Sequence, residues 1–190
     1  MKEFAADPVK AEHDLPIRID DLKYLYHLVN ANLRDLLGLA DEYCEYASQV
    51  SPQVLERDQK QKLFEKWLER ATTERYQALS SRISDKAWAI LDIAMSDQFK
   101  GTFGVGDYST FNQSSTVAFE KSTFAKWLRD LVKLGLITKT LDDEHGNDDD
   151  GFTRDVFSVT AKGALVHHGR RQRTENFSVV SSEWLRRVHF

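Results

Sequence analysis

Lys121-Ser122-Thr123-Phe124-Ala125-Lys126-Trp127-Leu128-Arg129-Asp130-Leu131-Val132-Lys133-Leu134-Gly135-Leu136-Ile137-Thr138-Lys139-Thr140-Leu141 is the stretch on which the fold turns. Phe124, Trp127, Leu128 and Leu131 recur at i, i+3, i+4 and i+7, the spacing of one buried face of a helix starting near Lys121. At 100° per residue, Ser122, Lys126, Arg129 and Lys133 fall within an arc of about 60° turned away from that face. Gly135 stops the helix, because glycine takes the left-handed conformation that closes a helix C-terminus without steric cost. Leu136 to Leu141 then reads as a strand, and the polar, Gly-containing loop from Asp142 to Gly151 leads to a second strand near Asp155 to Val159. Thr160-Ala161-Lys162-Gly163 opens another helix, with Thr160 placed as its N-cap. A helix followed by a hairpin is the predicted unit.

A helix buried on one side and carrying hydroxyls and cations on the other has the chemistry a DNA major groove requires. Ser and Thr reach base edges or phosphates, and Lys and Arg pair with phosphates or with guanine O6 and N7. A solvated surface helix has the same composition, so this face alone leaves both readings open.

Upstream, Ser84-Asp85 signals a helix start, and Ala87, Trp88, Ile90, Leu91, Ala94 and Met95 give a short, strongly apolar helix. Gly101-Thr102-Phe103-Gly104-Val105-Gly106 breaks it. This glycine run matches neither the dinucleotide fingerprint nor the phosphate-binding loop, and a short strand around Phe103 and Val105 is the expectation instead. The segment from Tyr108 to Phe119 is rich in Ser and Thr, and it lacks a regular apolar pattern. Farther upstream, Leu22, Tyr26, Val29, Leu33, Leu36, Ala40, Tyr43 and Ala47 alternate spacings of four and three, predicting one helix from Ile19 to about Val50. Asp20 and Asp21 suit the positive end of its dipole, and Leu25 and Leu37 widen the stripe. Packing within its own domain and packing in an intersubunit bundle both fit this stripe. Ser51-Pro52 reads as a restart with Ser as N-cap, giving a helix to about Leu79 with Leu63, Phe64, Trp67, Leu68 and Ala71 on one face.

In that order and spacing, the chain resembles the MarR-type winged-helix transcription regulators over roughly residues 81–169. Lys121-Ser122-Thr123-Phe124 looks like the family's entry into its recognition helix. Leu131-Val132-Lys133-Leu134-Gly135-Leu136-Ile137 resembles its helix end and first wing strand, and Val159-Thr160-Ala161-Lys162-Gly163 the segment closing the wing. The helix of Trp88 and Leu91 fits the element that opens the family's DNA-binding domain. The resemblance implies a fold that is mainly α with a small β-hairpin wing: a helical dimerisation or packing region over 1–80, a winged helix-turn-helix domain over 81–169, and a basic segment with a short helix over 170–190. It implies a homodimer on double-stranded DNA, two recognition helices entering successive major grooves of a pseudo-palindromic site. Carried over by position, Lys121, Ser122, Thr123, Lys126, Arg129 and Lys133 become DNA contacts, and Arg154 the wing arginine, although Arg154 stands out of register with the family's. The run Asp142-Asp143-Glu144-His145-Gly146-Asn147-Asp148-Asp149-Asp150 departs from a DNA-touching wing, since carboxylates are repelled by phosphates. That tip points away from DNA or serves another purpose. A winged-helix adaptor binding another protein in a replication, partition or chromosome-organising assembly is the competing expectation.

Charge is polarised along the chain: −4 over residues 1–80, +1 over 81–135, −5 over 136–151 and +4 over 152–190. The overall −4 is therefore a poor guide to any local surface. One cysteine, Cys44, excludes a disulfide scaffold or a multi-cysteine zinc cluster and fits a reducing, cytoplasmic location. Its place on an apolar stripe reads as a buried structural thiol. Met1 to Pro8 has no apolar core of signal-peptide length, and no run of about eighteen apolar residues predicts a membrane span. The acidic run lacks a calcium loop's alternation and terminal glutamate. His167 and His168 read as surface residues beside Arg170, Arg171 and Arg173, which are candidates for phosphate contact, and Ser182 to Val188 as a short amphipathic helix. No nucleophile elbow, no metalloprotease motif and no carboxylate pair with a reason to have split pKa values is found, so neither enzyme chemistry nor a cofactor is expected. A small-molecule effector finds room in such proteins, but no residue set names one.

Overall fold

The computed structural model describes residues 15–51, 55–115, 120–141 and 155–174. Among them the chain is mainly helical, with seven α-helices and one small antiparallel sheet. It divides into two compact units, one of residues up to Glu74 together with those from Gly169, the other Arg75–His168. No helix among the described residues is long and apolar enough to cross a membrane.

The first unit holds α1 (Ile19–Leu28), α2 (Leu33–Val50) and the first part of α3 (Arg57–Leu79). The single helix expected over 19–50 is broken. Asn30 and Ala31 adopt positive φ, which stops α1, and the Asn32 side chain accepts a hydrogen bond from the Asp35 N–H and caps α2. The break resets the helical phase, so α1 buries Tyr24, Leu25 and Leu28 while Tyr26 is exposed. The restart at Ser51 is also corrected. Ser51 closes α2, and α3 begins at Arg57, where Gln59 Oε1 accepts from the Glu56 N–H at 3.0 Å, half of a capping box. Leu63, Phe64, Trp67, Leu68 and Ala71 are buried as expected, and Tyr43 of α2 meets the rings of Phe64 and Trp67 at 5.4 Å. Charge is buried too. Arg18 Nε donates to Asp21 at 2.9 Å, Arg18 Nη1 to Gln61 at 2.8 Å, and Gln61 to Glu65 at 2.9 Å.

The second unit runs from the end of α3 through α4 (Asp85–Ala94), β1 (Thr102–Gly104), α5 (Tyr108–Ser114), α6 (Lys121–Lys133), β2 (Ile137–Leu141) and β3 (Asp155–Val159) into α7 (Ala161–Thr174). Ser84 Oγ accepts from the Ala87 N–H at 3.3 Å, the expected cap. The sheet order is β1-β3-β2, with Phe103 opposite Phe157 and Ile137 opposite Val159. Phenylalanines make the core: Phe103 stacks on Phe157 at 5.7 Å, and Phe111 lies 4.9 Å from Phe103 and 4.7 Å from Phe99. In the Ser/Thr-rich segment a helix nevertheless forms, from Tyr108 to Ser114, and its one fully buried ring, Phe111, anchors it.

Candidate nucleic-acid interface

Helix α6 is fixed at its C-terminal end and along one side. Phe124, Leu128 and Leu131 are buried, and the Phe124 ring lies 5.3 Å from Phe111 and 5.5 Å from Tyr108. Gly135 takes φ +69°, donating its N–H to Val132 at 2.9 Å while the Leu136 N–H reaches Leu131 at 3.0 Å, the paired bonds of a Schellman stop. The start of α7 locks onto this turn. Thr160 Oγ1 donates to the Gly135 carbonyl at 2.8 Å and accepts from the Gly163 N–H at 3.1 Å; Lys162 Nζ donates to the Leu134 carbonyl at 2.8 Å. A Cβ at Gly163 would overlap the Leu136 carbonyl, so only glycine permits this approach. The two segments singled out separately in the sequence thus form one corner, and that corner aims both α6 and the strand after it.

Helix α6 carries Ser122, Lys126, Arg129 and Lys133 on its outward arc and Lys121 in its first turn, about 80° off that arc, and all five are exposed. None of its four cations makes an ion pair among the described residues. Elsewhere in the unit lysines are engaged: Lys139 pairs with Asp155 at 2.7 Å across β2 and β3, and Lys162 caps α6. Lys126 Nζ stands 4.9 Å over the Trp127 ring, a cation–π contact that limits its wandering without neutralising it. Thr123 belongs less to this face than expected. It is half-buried, and its hydroxyl donates to the Glu120 carbonyl at 2.8 Å, leaving only acceptor capacity. Arg154 and the acidic run 142–150 lie outside the described residues, as does 182–188.

No family model, curated protein or solved structure matches this chain. Function is therefore read from the face itself. Four cations without an ion-pair partner among the described residues, on a helix held by its opposite side, give a surface of local positive charge spread along the helix axis, a distribution that matches a polyanion better than a single small anion. A pocket of about 250 Å³ beside α6, lined by Arg82, Ser84, Trp127, Asp130 and Lys133 among others, is smaller than usual small-molecule sites. The buried indole N–H of Trp127 has no hydrogen-bond partner among the described residues.

Two expectations fail. His167 is not a surface residue: it is 8% exposed, and its Nε2 lies 3.2 Å from Asp92 Oδ1, tying α7 to α4. Cys44 is half-buried rather than buried, and burial together with Asp41 pushes its thiol up, away from the reactive thiolate. Sequence reasoning also missed the phenylalanine cluster. Its members come from four elements with no shared periodicity, so only the aromatic content of the segment from Phe99 to Phe124 hinted at it.

Proposed function

We propose that the second unit is a winged helix-turn-helix domain and that the protein is a sequence-specific DNA-binding transcription regulator, acting as a homodimer on a pseudo-palindromic site. The helix order α4, α5, α6 followed by β2 and β3, with β1 added to β3, supports the winged reading and agrees with the resemblance to MarR-type regulators. The observation that carries the function is the cationic outer face of α6, without an ion-pair partner among the described residues, opposite its buried Phe124, Leu128 and Leu131. Lys121 supports it further. A lysine in the first turn opposes the helix dipole, a local cost offset when a phosphate sits at that end. In this reading Ser122 and Arg129 meet base edges, while Lys121, Lys126 and Lys133 hold phosphates.

Fluorescence anisotropy on a random-sequence duplex at low salt tests the reading. Wild type binds, and Lys126→Ala or Arg129→Ala weakens binding by about tenfold, the loss of a charge-assisted contact in each subunit. No binding at low salt, or equal binding by both variants, overturns it and promotes the adaptor reading, which the acidic run 142–150 favours.

A further inference from the structure

Helix α2 leaves an apolar stripe uncovered. Leu33 is 62% and Leu37 61% exposed, although leucines of this size are normally among the more buried residues. With Ala40 and Cys44, both half-buried, they recur at spacings of four, three and four, so all four fall within an arc of about 60° on the helix. The face that α2 commits to its own unit is different: Leu39, Tyr43 and Ala47. Along the outer edge of the stripe stand Arg34 and Asp41, both exposed and neither in an ion pair among the described residues.

We propose that this stripe is a self-association surface, on which α2 packs antiparallel against α2 of a second copy. Charge and size select the occupant and its direction. A two-fold axis across the helix places each flank of the stripe against the same flank of the copy. Arg34 then meets the copy's Asp41, and Asp41 the copy's Arg34, two ion pairs from one pair of residues. The same registration sets Leu33 against the copy's Cys44 and Leu37 against its Ala40, large against small at each level. A parallel pair would instead oppose this charged flank to the Leu36 and Tyr43 flank, and Tyr43 is fully buried in its own unit. The surface gives the homodimer proposed above a place. Its test reads oligomeric state without DNA, so the two readings fail separately.

Sedimentation velocity on the full chain, across protein concentration, should show a monomer–dimer equilibrium with a dissociation constant on the order of micromolar, as a short seam implies. Arg34→Glu or Asp41→Arg alone raises that constant by about tenfold, because each sets two like-charge contacts in place of two attractive ones. The double exchange Arg34→Glu with Asp41→Arg returns it to near the wild-type value. Both positions are exposed, and circular dichroism confirms that each variant stays folded. Independently, Leu33→Cys should give a covalent dimer under oxidised glutathione at mildly alkaline pH, lost when Cys44→Ser is added. A chain that stays monomeric at every concentration overturns the proposal. So does a dimer indifferent to both single exchanges, or a crosslink that survives removal of Cys44.

Discussion

Helices α2 and α6 are both amphipathic and both bury one side, yet their outer faces differ in kind. Outside α6 stand cations that no carboxylate among the described residues pairs with; outside α2 stand leucines with one cation and one carboxylate at their edge. An exposed Lys or Arg stays in water at little cost, so the α6 face is stable alone and becomes useful only to a polyanion. Exposed leucines gain about 25 cal/mol for each Å² removed from water, so the α2 face is driven toward another apolar surface. The contrast is what the two proposals rest on, nucleic acid for one face and a second copy for the other, and a chain of net charge −4 can still carry a locally cationic face. Local surface decides what a partner meets.

The comparison breaks most visibly if the buried side of α6 is not what holds it. Phe124→Ala should cost about 3–5 kcal/mol in denaturant unfolding, since its ring joins those of Phe111 and Tyr108. A cost below about 1 kcal/mol would mean that α6 is held some other way. Gly163→Ala comes next, at about 2–3 kcal/mol, because the added methyl must displace the Leu136 carbonyl at the turn that stops α6. An unchanged melting temperature would show that the corner yields. On the α2 side, Leu37→Ala in dilute solution should change stability by no more than about 0.5 kcal/mol, for the side chain is already mostly in water; a larger loss would show that Leu37 is covered within its own subunit.

The smallest effect concerns buried rather than exposed charge. Burial pushes the Asp21 carboxyl above its ordinary range, against the pull of Arg18. The folded state then takes up a proton more readily than the unfolded one. Stability from this group is fully present below the unfolded value, near 4, and is lost as pH rises through the folded one. The difference in melting temperature between wild type and Asp21→Asn should shift in favour of wild type as pH falls from neutrality toward about 4. A shift the other way would place the dominant influence on Asp21 with Arg18.

Features that depend on one residue doing one local job were legible in the sequence. Ser84 as a cap, Gly135 as a stop, Thr160 as a cap and the strand from Asp155 to Val159 all stand where they were expected. So does the outward arc of Ser122, Lys126, Arg129 and Lys133, which helical geometry alone dictates. What failed depended on rarer conformations or on tertiary partners. Apolar spacing ran unbroken through Val29 and Leu33, while the break was set by positive φ at Asn30 and Ala31, which periodicity does not register. His167 looked like a surface residue because its partner Asp92 lies far off in sequence. Gly163 stands in the sequence only as part of a helix start, because the Leu136 carbonyl packed against it comes from a segment 27 residues earlier.

The proposal stands or falls with the outer face of α6 binding a nucleic-acid backbone. Its most direct test is the slope of log affinity against log salt for wild type and for the combined Lys126→Ala, Arg129→Ala, Lys133→Ala variant. Each neutralised phosphate contributes about −0.9 to that slope, so three phosphate contacts in each of two subunits give the wild type about −5, and the variant, which keeps Lys121, about −2. Equal slopes for the two proteins would contradict the account.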